Sequence, residues 1–170
     1  MVPNLHRPIM VKDLTLFDKP LTKSDILNKL FKDYGLFYDG NPDNKDNDIF
    51  KHKHYKIITR SGIEKIQKAA GIEISYKLAG CSDTFAIVHA TGRRFNDDGS
   101  EMDGSPLETF GSANLENSPN SYYAEVAEKR AMSRIVLKLA GMYEYGVMGQ
   151  DELKETSGGS SEVKTAEYKP

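Results

Sequence analysis

Arg130, Arg134 and Lys138 recur every four residues within a largely apolar stretch, residues 118–149. On a helix that spacing stacks three cations in one line, an arrangement suited to holding an anion or a partner carboxylate. A solvated edge, with Lys and Arg stems lying over apolar neighbours, explains the stripe equally well when it is taken alone. Further upstream, Lys51-His52-Lys53-His54-Tyr55-Lys56, followed by Arg60, interleaves cations with aromatic rings. Phosphates need positive charge and unstacked bases need flat faces, so such a block suits a single nucleic acid strand. Solvated surface is the plainer reading of any charge run. Two separated cationic elements can form opposite walls of one groove, and the chemistry available to them is binding rather than bond-making.

Other constellations are poorer. Asp97, Asp98, Glu101 and Asp103 crowd one segment, but the ordered ligand spacing of a calcium loop is absent. His52 and His54 share a face of an extended segment without further His or Cys at zinc-binding spacing. Cys81, the single cysteine, reads as a small loop or core residue, and His89 as a core or groove residue rather than a base. No phosphate-cradling glycine-lysine loop, dinucleotide fingerprint or Ser/His/Asp arrangement occurs. The expectation is a protein that is not an enzyme, with no catalytic residue, no metal site and no cofactor.

At 170 residues, with 38% hydrophobic and 28% charged side chains, the composition is that of a globular domain. One cysteine excludes an internal disulfide and fits a reducing cytosol. No apolar run reaches the ~20 residues that span a bilayer, so a cytoplasmic protein without a membrane partner is expected. The net charge of −2 hides strong segregation. Residues 49–94 carry nine basic against three acidic side chains, residues 95–128 none against eight, and residues 129–150 four against one. Charge sorted this way gives opposite patches through which neighbouring copies could meet.

These residues need elements to position them. Residues 1–17, with Pro3 and Pro8, read as an extended arm. Thr22 or Ser24 caps a helix whose apolar face is Ile26, Leu27, Leu30, Phe31 and Tyr34, and Gly35 ends it. Residues 40–48 are turn chemistry. A strand over 55–59 leads to a helix over 62–70 capped by Ser61. Residues 72–78 alternate as a half-buried strand, and 84–91 are apolar on both faces and hence central. Gly92 suggests a bulge, Asn96-Asp97-Asp98-Gly99 a hairpin turn, and 107–112 a third strand. The stretch 118–149 reads as one long helix. The fold class is therefore α+β: an antiparallel three-stranded (or larger) meander packed on a long C-terminal helix, with a short helix before the sheet. The organisation expected is an arm and short helix over 1–48, a core over 49–150 and a flexible tail over 151–170.

Ser61-Gly62-Ile63-Glu64-Lys65, the hairpin strands over 85–94 and 107–111, and Ala127-Glu128-Lys129-Arg130-Ala131 together resemble the Rad fifty-two-like single-strand annealing proteins, a group with many bacteriophage members. The resemblance covers about residues 55–146. The Ala-x-Lys-Arg-Ala-x-x-Arg pattern also occurs in the phage Erf and RecT annealing families, so it points to activity better than to subgroup. It implies ATP-independent binding and annealing of single-stranded DNA in recombination, by rings or helical filaments, in a bacterial host cytoplasm if phage-encoded. Carried onto this chain, Lys129, Arg130, Arg134 and Lys138 would contact phosphates and Lys53, Lys56 and Arg60 would form the opposite wall. Residues 1–48, an arm and helix that could clasp a neighbour, depart from the resemblance, and the tail is where a single-strand-binding protein would dock. The rival readings are a single-strand-binding accessory protein without annealing activity, a metal-dependent nuclease using acids between Asp97 and Glu108, and an adaptor whose stripe binds an acidic protein.

Overall fold

The computed structural model describes residues 20–118 and 121–153; the arm and the tail beyond Leu153 lie outside them. Within these residues run helices α1 (Lys23–Asp33), α2 (Arg60–Ala69) and α3 (Tyr123–Leu139). The strands are β1 (Ile49–His52), β2 (Tyr55–Ile58), β3 (Ile72–Ser82), β4 (Phe85–Arg94), β5 (Leu107–Asn114) and β6 (Val147–Gly149). The fold is α+β, and β3, β4 and β5 form the expected antiparallel meander in that order. A second sheet, not anticipated, pairs β1 antiparallel and β6 parallel to β2.

Local chemistry sets most boundaries. Thr22 caps α1: its hydroxyl accepts from the Asp25 amide, and the Asp25 carboxylate accepts from the Thr22 amide in return. α2 starts two residues earlier than Ser61 suggested. Thr59 is the cap, accepting from the Gly62 amide at 3.2 Å, and Ser61 instead donates to Asp48 at 2.9 Å. Gly92 forms no bulge; the register shift falls between Leu78 and Gly80. The expected long helix ends at Leu139, because Gly141 takes a left-handed φ of 70° that reverses the chain. The apolar residues beyond it, Met142 and Val147, are core residues of the return path and of β6 rather than further helical turns.

α3 lies between the two sheets. Its Ala127 and Ala131 pack with Ala86, Val88, Ala90 and Ala113 of the meander. Its Met132, Ile135, Val136 and Leu137 join Ile49, Ile58, Ile63, Ile66 and Val147 in the main core. Each fully buried aliphatic side chain there contributes about 1.5–3 kcal/mol. The close approach depends on missing side chains. A Cβ on Gly111 would sit 2.0 Å from the Ala127 carbonyl oxygen, and one on Gly149 would sit 2.4 Å from Ser133 Cβ. Leu27 and Phe31 bring α1 into the same core, so no domain boundary falls at residue 48. Asp48 itself is buried as the link, accepting from the Phe37 amide, Ser61 and Lys65.

Candidate nucleic-acid interface

The cationic stripe on α3 exists, but it faces the protein. Arg130 is only 6% exposed. Its Nε donates to the Asp151 carbonyl at 2.8 Å, Nη1 to the Ser112 carbonyl at 2.8 Å and to Asn117 Oδ1 at 2.7 Å, and Nη2 to the Asn117 carbonyl at 2.6 Å. Arg134 Nη1 donates to the Phe110 carbonyl at 2.6 Å, and its Nε and Nη2 both meet Glu152 Oε2 at 3.1 Å. Lys138 reaches Thr109 Oγ1 at 3.4 Å and lies 5.5 Å from the centre of the Tyr143 ring. The spacing explains the pattern. Four helical residues rise about 6 Å and two strand residues about 6.8 Å, so side chains one turn apart on α3 meet alternate carbonyls of β5, which runs antiparallel to the helix. β5 is the outer strand of the meander, and the two arginines cap backbone carbonyls that no further strand among the described residues pairs.

This overturns the surface role expected of Arg130, whose guanidinium is buried and occupied by main-chain and Asn117 acceptors. It also corrects the expectation that the flexible tail begins at residue 151. Gln150–Glu152 forms a 3-10 turn, and the Glu152 side chain is 3% exposed against Arg134.

Arg60, at the first turn of α2, is held by Glu64 at 2.9 Å, with its Nη1 3.7 Å from Asp151 Oδ2. Ser133 donates to that same carboxylate oxygen at 3.2 Å. Cations from two distant parts of the chain do converge, then, as Arg60 and Arg134 on consecutive acids. Lys56 and Arg134, expected to line one trough, share no partner: Lys56 turns to α1, with Nζ 3.4 Å from Asn28 Oδ1 and 5.1 Å from the Phe31 ring centre. Tyr76 lies within electrostatic reach of this region. Burial, reinforced by Glu128 and opposed by Arg60, pushes its phenol up to about 12.

The residues that do face outward lie on the β1–β2 hairpin. Lys51, His52, Lys53, His54 and Tyr55 are all exposed, and Lys51 stands opposite Lys56 in the register. Lys53 takes a left-handed φ of 56° at the tight turn. His54 and Tyr55 rings lie 4.0 Å apart. Among the described residues no carboxylate pairs with Lys51, Lys53, Lys56 or Lys129, the last exposed on α3. A second aromatic surface covers the meander face turned from α3, where Phe110, 53% exposed, lies 4.7 Å from the His89 ring beside exposed Phe85 and Ile87.

Sequence reasoning missed Asp151, Glu152 and Asn117 because they complement α3 from loops, without periodicity. Among the described residues no three His, Cys, Asp or Glu side chains converge on a metal-sized site, and no helix is long and apolar enough to cross a membrane. No family model, curated protein or solved structure matches the chain.

Proposed function

We propose that the protein binds single-stranded DNA and anneals complementary strands without ATP, as its resemblance to the annealing families implies. The observation that carries this reading is the β1–β2 hairpin, where Lys51, Lys53 and Lys56 alternate with exposed His52, His54 and Tyr55 and, among the described residues, meet no carboxylate partner. Ammonium groups not already neutralised are the ones that gain most from releasing a polyanion's counterions. The neighbouring rings offer faces for bases regardless of sequence. Holding the backbone leaves base edges exposed for pairing, and annealing needs only that repulsion between two strands be lowered.

In this reading Lys53, Lys56 and Lys129 contact phosphates, joined by Lys51, while Arg130 and Lys138 support the scaffold. The basic and acidic blocks of the sequence favour copies stacked head to tail into a ring or filament, which extends one binding path across many subunits. In this reading the working compartment is the cytoplasm, that of a bacterial host if the protein is phage-encoded, and residues beyond 153 are the segment available to a single-strand-binding protein.

Fluorescence anisotropy of a labelled oligo-dT tests the binding claim. Affinity should fall with salt, with a log–log slope near −3 for four lysine–phosphate contacts, at about −0.7 each. Affinity indifferent to salt, or no binding at low salt, contradicts it.

A further inference from the structure

Arg60 and Arg134 approach one short turn, and that turn presents them with two acids in a row. The match is incomplete. Asp151 Oδ2 stands 3.7 Å from Arg60 Nη1, beyond hydrogen-bond length. Arg60 Nη1 and Glu152 Oε1 are both buried with no hydrogen-bond partner among the described residues. A half-satisfied ionic network in a low-dielectric site costs more than it returns unless each member is paired. The acids sit on a three-residue 3-10 turn that follows a three-residue strand, and none of Gln150, Asp151 or Glu152 belongs to either hydrophobic core. Lifting the turn therefore exposes little apolar surface. A guanidinium fork accepts carboxylate and phosphate oxygens in the same geometry.

We propose that Asp151 and Glu152 are an internal stand-in for backbone phosphate, closing a two-arginine subsite that a single DNA strand opens by displacing the Gln150–Glu152 turn. This rests on the nucleic-acid reading above and adds a site and its regulation. Arg60 and Arg134 are then the phosphate ligands of the opened state, and Arg130, which also holds the Asp151 carbonyl, keeps its bonds to β5 and Asn117 when the turn leaves.

The test uses the full chain. Oligo-dT anisotropy over a salt series compares wild type with Asp151→Asn/Glu152→Gln and with Asp97→Asn/Asp98→Asn, which removes as much charge from the exposed hairpin tip. Hydrogen exchange follows the amides of 150–153 in wild type with and without oligo-dT. The Asp151/Glu152 variant should bind about tenfold tighter at moderate salt, because no internal acids have to be displaced, and the Asp97/Asp98 variant should not. Adding Arg60→Gln and Arg134→Gln should abolish the gain, and DNA should speed exchange at 150–153 in wild type. Equal affinity of a folded Asp151/Glu152 variant and wild type, an equal gain in the Asp97/Asp98 variant, or exchange at 150–153 unchanged or slowed by DNA overturns the latch. If the variant does not fold, the wild-type exchange result decides. Failure of every form to bind at low salt removes the nucleic-acid reading and the latch together; binding by wild type without these changes removes the latch alone.

Discussion

Arg134 Nη1 donates to the carbonyl of Phe110 at 2.6 Å while its Nε holds Glu152 at 3.1 Å. One side chain thus seals the outer edge of the meander and pins the last described turn of the chain. The stripe that first suggests a nucleic-acid wall is, at Arg130 and Arg134, an edge cap. A four-residue helical repeat and a two-residue strand repeat come close enough in length for consecutive arginines to serve consecutive outward carbonyls.

Arg130→Ala should destabilise the protein by about 3 kcal/mol, since it leaves buried carbonyls and Asn117 without their donor. Urea unfolding should show a lower midpoint at an unchanged slope. A loss below about 0.5 kcal/mol would mean those bonds are replaced by water at little cost.

Lys51→Gln, Lys53→Gln and Lys56→Gln together should weaken oligo-dT binding and reduce the salt slope by about 2. Thermal stability should change little, because these groups are at the surface or partly exposed and have no carboxylate partner among the described residues. Wild-type affinity in the triple variant would move the binding surface elsewhere.

Gly111→Ala should cost about 2–3 kcal/mol or more, because the added methyl meets α3 backbone, which cannot rotate aside. Calorimetry of the variant should give a markedly lower Tm. A Tm close to wild type would show that α3 can shift away from β5 easily.

Asp48 links α1 to α2 and titrates below the usual carboxylate range. Burial alone would raise its pKa, but hydrogen bonds from Lys65, the Phe37 amide and Ser61 together outweigh that and lower it. A folded pKa below the unfolded one means stabilisation that is full above about pH 4 and lost as pH falls through the folded value. Asp48→Asn should therefore be less stable than wild type at pH 7, with the gap narrowing in acid below pH 4. A gap constant down to pH 2 would assign the effect to packing alone.

Much of this architecture was legible in the sequence. Thr22 with Asp25 announces α1, and the turn at Gly99 separates the strands as expected; the alternation of Ile72, Ile74, Tyr76 and Leu78 announces β3, but only its first half is covered, Tyr76 and Leu78 being exposed. The second sheet was not, because β1 has four residues and β6 three, too few for a period to register. β6 was also hidden in an apolar run that reads as more helix, and only the left-handed Gly141 marks the break. The spacing of Arg130, Arg134 and Lys138 was visible, but the direction they face was not. Their acceptors are main-chain carbonyls of β5 and acids that follow the helix, and neither leaves a periodic trace.

Renaturation of two complementary oligonucleotides, one carrying a fluorophore and the other a quencher, tests the account most directly. Without ATP, the protein should accelerate pairing, and the acceleration should fade over the same salt range in which oligo-dT binding is lost. Tight binding that leaves the pairing rate unchanged or slows it would contradict annealing and leave a protein that merely covers single strands.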